Sequence, residues 1–181
     1  MRVTGGRYRG RLLKTSPGLQ ARPTADKTRQ AIFNILMKDV ENKMVLDLFA
    51  GSGSLGIEAL SRGAESALFV ESGRPQVHVI RENLTMLGLD AEVIERDCRS
   101  ACRYLAKVGR KFDLIFADPP YREYAPLQIV DLVTHYDLLA PGGFLIIEHK
   151  SRQETATEKM AVLKQRRFGQ TEVTFYGSKE N

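Results

Sequence analysis

The chain has 181 residues, 43% of them hydrophobic, and a formal net charge of +5, a size that suits one α/β domain burying about 70% of its unfolded surface. Its two cysteines, Cys98 and Cys102, exclude a disulfide framework and, with no second Cys/His pair, argue against a metal site. No apolar run approaches the roughly 18 residues of a membrane span and "MRVTGGRYRG" lacks the apolar stretch of a signal peptide, so a soluble, cytoplasmic protein with no membrane partner is expected.

The charge is gathered at the start. Residues 1–30 hold eight Lys/Arg against one acid, Asp26, a net +7 that leaves the remaining 151 residues at −2. Such concentration points to a polyanion, a solvated terminus being the plainer alternative. The stretch "GGRYRGR" sets Arg7, Arg9 and Arg11 around Tyr8, mixing phosphate-seeking charge with an aromatic able to stack on a base, which favours RNA. "RVT" and "GRLLK" predict two short strands around a Gly-rich turn. "RPTADKTRQAIFNILMK" predicts a helix capped by Thr24 or Asp26, with Ile32, Ile35, Leu36 and Met37 on its apolar face. We divide the single domain into a basic RNA-binding extension, residues 1–24, and a catalytic core, residues 25–181.

From residue 44 strands and helices alternate. "MVLDLF" predicts a buried strand and "SLGIEALSR" a helix stopped by Gly63; "SALFVE" is the next strand. Residues 72 to 87 read as a helix with Val77, Ile80, Leu84 and Leu87 on one face, ended by Gly88. "AEVIE" is a third strand, followed by a helix near 99–108, then "FDLIFAD", a helix from Pro126, and "GFLIIEH". A polar helix near 152–160 and two closing strands joined at Gly169 complete the pattern. The fold class is α/β: a mostly parallel, seven-stranded Rossmann-like sheet with helices on both faces, plus a short N-terminal hairpin and helix. In such sheets ligands bind at the carboxyl ends of the strands, where strand order switches.

Those ends carry the informative residues. After the first strand, "DLFAGSGSLG" sets Gly51, Gly53 and Gly56 in the G-x-G-x-x-G spacing, a weak signal alone. Asp47, four residues before Gly51, would repel a pyrophosphate and suits a ligand with a positive amino group or sulfonium, as in S-adenosylmethionine. Glu71 ends the second strand, 20 residues after Gly51, where an acid accepts from both ribose hydroxyls of a nucleoside. Asp97 follows the third strand; it can accept from an adenine amino group with the Cys98 N–H donating to a ring nitrogen, or simply cap a helix.

The fourth strand runs out into "DPPY". An exocyclic amine is a poor nucleophile because its lone pair is delocalised into the ring. Two acceptors, the Asp118 carboxylate and the Pro119 carbonyl, would grip both its hydrogens and stabilise the charge that grows on nitrogen. Pro119 and Pro120 stiffen the backbone, and Tyr121 offers a face to an extruded base, a stack worth roughly 1–3 kcal/mol. A Ser or Cys hydrolase is disfavoured, because His78, His135 and His149 lie without a G-x-S-x-G elbow. His149 is better read as a structural partner of Glu148.

Taken together, "LDLFAGSGSLGIEALSRGA", "FVE", "FDLIFADPPY" and "APGGFLIIEH", preceded by "RVTGGRYRGRLLKT" and "RPTADKTRQAIFNIL", resemble the bacterial ribosomal RNA small-subunit methyltransferase D family over nearly the whole chain. The resemblance implies methylation of N2 of guanine 966 of 16S rRNA, within the small (30S) subunit, by S-adenosylmethionine. It further implies that Asp47, Gly51 and Gly53 hold the amino-acid part of the cofactor, Glu71 the ribose and Asp97 with Cys98 the adenine. Phe49, Ser52 and Ser72 would also contact the cofactor. Asp118, Pro119, Pro120 and Tyr121 would receive the base, Arg22 and Thr24 would flank the cofactor, and Arg7, Tyr8, Arg9 and Arg11 would touch RNA. A monomer is expected. The rival readings are a DNA adenine-N6 methyltransferase, which shares DPPY; a non-catalytic RNA-binding assembly factor; and an NAD-dependent oxidoreductase, in which Asp47 and DPPY have no use.

Overall fold

Residues 1–15, 23–120 and 122–178 are described by the computed structural model, 23–25 by their backbone alone. Seven strands form one sheet: β1 (Met44–Leu48), β2 (Ser66–Glu71), β3 (Glu92–Glu95), β4 (Phe112–Ala117), β5 (Leu139–Lys150), β6 (Ala161–Phe168) and β7 (Thr171–Gly177). Their order is β3-β2-β1-β4-β5-β7-β6. The first five pair in parallel and β7 runs antiparallel between β5 and β6.

Side-chain alternation along the strands divides the core in two. On one face Val45, Phe69, Phe116, Ile146 and Phe175 meet α1 (Pro23–Leu36), α2 (Ser54–Ser61) and α3 (Arg74–Leu87). On the other, Leu46, Val70, Ile115, Ile147 and Tyr176 meet α4 (Cys98–Lys107) and α5 (Pro126–His135). Both faces of the central strands are thus covered, which is why they read as near-continuous apolar runs. Cys98 and Cys102 are free thiols buried in the second layer. Among the described residues no helix is long and apolar enough to cross a membrane.

Several local expectations change. The N-terminal hairpin reduces to one antiparallel bridge, Arg2 with Leu12, extended by Val3 N–H donating to Arg11 O and Leu13 N–H to Met1 O. Helix α1 starts at Pro23, where a missing N–H costs nothing; Asp26 lies inside its first turn and pairs with Arg29 at 2.9 Å instead of capping it. Helix α3 begins at Arg74, because the Gly73 N–H is taken by the Glu71 carboxylate and holds the preceding loop extended. The polar helix expected near 152–160 is absent. Arg152 is left-handed (φ 68°), the Thr155 hydroxyl accepts from Gln165, and the Thr155 carbonyl accepts from the Tyr176 hydroxyl. With Met160 its buried apolar residue, the segment has no stripe to hold a helix on the sheet.

Candidate active site

The sheet's switch in strand order lies at β1, which connects to β2 on one side while β4 lies on the other. In register, Leu48 is opposite both Val70 and Ala117. The next residues, Phe49 and Asp118, therefore leave adjacent strands at the same level. Along this carboxyl edge the ends run Asp97, Glu71, Phe49, Asp118, one per strand, with strands about 4.8 Å apart.

The glycine loop is built by backbone requirements. Gly51 and Gly53 have φ of 58° and 78°, in the left-handed region that glycine enters without penalty. Gly56 has a different reason: a Cβ there would lie 2.3 Å from the Phe69 ring, so glycine lets α2 settle against β2. Phe49, not a glycine, also takes positive φ, 61°. This strained geometry is held by a ring contact with Tyr124, centroids 5.0 Å apart. Tyr124 belongs to the loop after β4, so one aromatic pair joins the glycine loop to the Asp118 loop. Sequence reasoning missed Tyr124, although it stands three residues beyond Tyr121 in the same polar loop.

Glu71 organises this edge. Its Oε2 accepts from the Gly51 N–H at 2.9 Å and its Oε1 from the Gly73 N–H at 2.8 Å. Each oxygen keeps a second lone pair that can accept from a hydroxyl. Asp97 caps α4 by accepting from the Ser100 N–H at 3.0 Å, and hydrogen bonds from the Ser100 hydroxyl first and its main-chain N–H second hold its carboxyl below the usual range. Asp47 differs from the expectation. It is 1% exposed and its Oδ2 accepts from the Gly56 N–H at 2.9 Å. Burial, more than the neighbouring Glu71 charge, pushes its pKa to about 8 against the hydrogen bond that pulls it down. Asp47 fixes the turn into α2 from beneath. These donors and acceptors fit a nucleoside with two ribose hydroxyls and an amino acid, as S-adenosylmethionine has.

In the Asp118 loop Pro119 is buried while Asp118 and Pro120 are exposed. The Pro120 carbonyl accepts from the Glu123 and Tyr124 N–H groups, closing a turn. Ser52 is buried, and its carbonyl accepts from Asn83 Nδ2 at 3.0 Å. Ser72 lies between Glu71 and Gly73, and Thr24 in the first turn of α1; Arg22 and Tyr121 lie outside the described residues. His149, 1% exposed, has Nδ1 at 2.9 Å from the Lys150 carbonyl and Nε2 at 2.8 Å from the Thr174 hydroxyl, so its structural role rests on those partners. A cleft of about 570 Å³ at the opposite, amino edge, lined by Lys111, Pro141 and Met160 among others, contains none of these residues.

The basic arm is docked. Buried Glu58 accepts from the Thr4 N–H (2.8 Å) and hydroxyl (2.7 Å), Arg29 Nε and Arg62 Nε, and Arg29 also donates to the Arg2 carbonyl. Arg7 N–H donates to Ser61 O, and Asn83 bonds both the N–H and the carbonyl of Lys14. Arg7, Arg9 and Arg11 are exposed. Since Ser61 ends α2 beside the residues that lead into β1, the arm's tip lies at the amino edge, away from Asp118. Tyr8 is half-buried against the core with the Arg7 guanidinium over its ring, 5.6 Å from the centroid, so it packs where a stacking platform was expected. Sequence signals for the docking existed: Glu58 is the lone charge in "SLGIEALS", and Asn83 shares the buried side of α3 with Ile80 and Leu84.

Strand order, glycine loop and the aligned carboxylates define an S-adenosylmethionine-dependent methyltransferase. The chain belongs to the family of ribosomal RNA small subunit methyltransferase D. Residues 1–177 match the family described as conserved hypothetical protein 95. The chain is 32% identical to ribosomal RNA small subunit methyltransferase D of Haemophilus influenzae over 172 residues, 93% of this chain and 89% of that one. It is 37% identical to Bacillus subtilis YlbH, provisionally named an rRNA methyltransferase, over 97% of this chain and 98% of that one. The solved structure of Escherichia coli yhhF, provisionally described as a methyltransferase, superposes with a TM-score of 0.86 at 32% identity, covering 100% and 99% of the two chains.

Proposed function

We propose that this protein methylates the exocyclic N2 amine of guanine 966 in 16S rRNA, on the small ribosomal subunit. The observation that carries this reading is the register of Leu48 with Ala117, which starts the glycine loop and the Asp118 loop side by side. When bound, S-adenosylmethionine supplies a methyl group on a sulfonium that departs as a neutral thioether. Glu71 and Asp97 accept from its ribose and adenine, and the loop from Phe49 to Gly53 takes its amino-acid end. The Asp118 carboxylate and the Pro119 carbonyl accept the two hydrogens of the guanine amine and aim its lone pair at the methyl group. Methylation leaves one proton in excess, which exposed Asp118 passes to water. Positioning of this kind can lower a barrier by about 7–11 kcal/mol. Arg7, Arg9 and Arg11 engage RNA at a distance from the reacting base.

The test compares small subunits, protein-free 16S rRNA and duplex DNA as acceptors of labelled methyl groups, and maps the product nucleotide. Label at guanine 966 in subunits, absent from cells lacking the gene, is expected. Label in DNA adenine would replace this reading with its nearest rival. Cofactor binding without transfer to any acceptor would make the protein an assembly factor.

A further inference from the structure

The arm leaves the catalytic edge without its own share of the basic residues, which raises the question of what holds RNA near Asp118. Because β7 is antiparallel to both neighbours, the β6–β7 turn returns to the carboxyl edge: Lys150 pairs with Thr171, Phe168 pairs with Thr171, and the Ser151 N–H donates to Gln170 O. Lys150, Arg152, Arg166 and Arg167 gather there, all exposed. Arg167 donates to the Gly169 carbonyl and Arg166 to the Gln165 carbonyl, contacts that leave their charge uncancelled. Facing them are Glu172, whose carboxylate accepts from the Arg152 main-chain N–H, and half-buried Glu148.

The opposite edge is treated differently. Lys43 pairs with Asp113, Lys111 with Asp137 and Lys159 with Asp131. The lysines at or near the amino edge are thus matched by acids, the exposed charge there belonging to Arg7, Arg9 and Arg11 of the arm, while the end nearest Asp118 keeps a cationic surplus of its own. From β4, strands β5, β7 and β6 stand about 5, 10 and 14 Å away at the usual spacing, the span of a few nucleotides.

We infer that the β6–β7 turn and the end of β5 form a second RNA-binding surface, with Lys150, Arg152, Arg166 and Arg167 taking the phosphates that flank the target nucleotide. This rests on RNA being the substrate. Two faces of the sheet contribute, since Arg166 lies on the side of Val173 and Arg167 on that of Glu172, so a strand crossing the edge can be held from both sides.

The experiment replaces all four residues with glutamine and measures binding to isolated small subunits and to 16S rRNA fragments between 50 and 200 mM salt. Each lost phosphate contact lowers the salt slope by about 0.7 on single-stranded RNA, so a fall of about 2–3 is expected, with affinity at 100 mM salt down roughly tenfold or more. S-adenosylmethionine affinity and Tm stay as in the wild type. The pair Arg166→Gln, Arg167→Gln gives about half the effect, and Lys111→Gln with Lys159→Gln leaves the slope unchanged. An unaltered slope in the fourfold variant, when wild-type protein binds RNA and methylates it, overturns the second surface alone. Failure of wild-type protein to bind RNA removes the substrate assignment and this inference with it. Loss of binding to phosphatidylserine vesicles, with RNA binding intact, makes the patch a membrane contact and overturns it too.

Discussion

The rings of Phe49 and Tyr124 meet at 59° with their centroids 5.0 Å apart, linking the loop after β1 to the loop after β4. Phe49 is held at a positive φ that a non-glycine residue adopts only when its surroundings insist. Removing either ring should loosen both loops together. Phe49→Ala and Tyr124→Ala are each expected to weaken cofactor binding and lower kcat. A double-mutant cycle on Tm should give a coupling of about 0.5–1.5 kcal/mol. Additive losses would show that the two loops are positioned independently.

Asp118→Ala should abolish methyl transfer and leave S-adenosylmethionine affinity within a few-fold if the residue acts, as proposed, on the acceptor base. Asp118→Asn, which keeps one acceptor oxygen, should retain more activity than the alanine variant. Calorimetry gives the affinity and single-turnover labelling the rate. Near-normal turnover of Asp118→Ala removes the residue from the mechanism.

Asp47 gives a dependence on pH. Burial raises its pKa to about 8 in the folded chain against 3.8 for an ordinary aspartate, so between those values the folded chain binds the extra proton. The stabilising contribution of that proton is complete below pH 4 and fades as pH rises through 8. Asp47→Asn keeps an oxygen for the Gly56 N–H and carries no charge. Its Tm relative to wild type should therefore climb from pH 5 to 8 and level off above that. A difference independent of pH would mean that Asp47 is already ionised in the folded protein.

Glu58 gathers Arg29, Arg62 and Thr4 at a point with no solvent exposure. Breaking such a buried pair costs roughly 3–5 kcal/mol, and each kcal/mol corresponds to about 2–4 °C in a domain of this size. Glu58→Gln should lower Tm accordingly and release the arm, seen as faster trypsin cleavage after Arg7, Arg9 and Arg11. Replacing those three arginines should instead weaken RNA binding and flatten its salt dependence without altering Tm. If the slope holds, RNA contacts lie elsewhere.

The sheet was legible because strands buried on both faces write themselves as apolar runs, and "MVLDL" or "FDLIFA" fit nothing else once helices separate them. Gly51, Gly53 and Glu71 were legible for a related reason: their backbone demands and strand-end positions are local. The tail of the chain was not. "SRQETATEK" has helix-forming residues in number but lacks a stripe to bury, and Thr155 serves distant partners, Gln165 through its hydroxyl and Tyr176 through its carbonyl, that no local window reveals. Asp47 illustrates the same limit. Its type and place pointed to a ligand, whereas its surroundings, set by Phe69 and α2, turn it to the Gly56 N–H.

The docked arm has a consequence for synthesis. The first fourteen residues leave the ribosome before anything they rest on: Thr4 waits 54 positions for Glu58, Tyr8 53 for Ser61, and Lys14 69 for Asn83. Until α2 emerges the arginine-rich arm travels unanchored, its last tie waits for α3, and contacts so far apart in sequence form slowly. Locking it down is therefore a late event, complete only once Asn83 has been made.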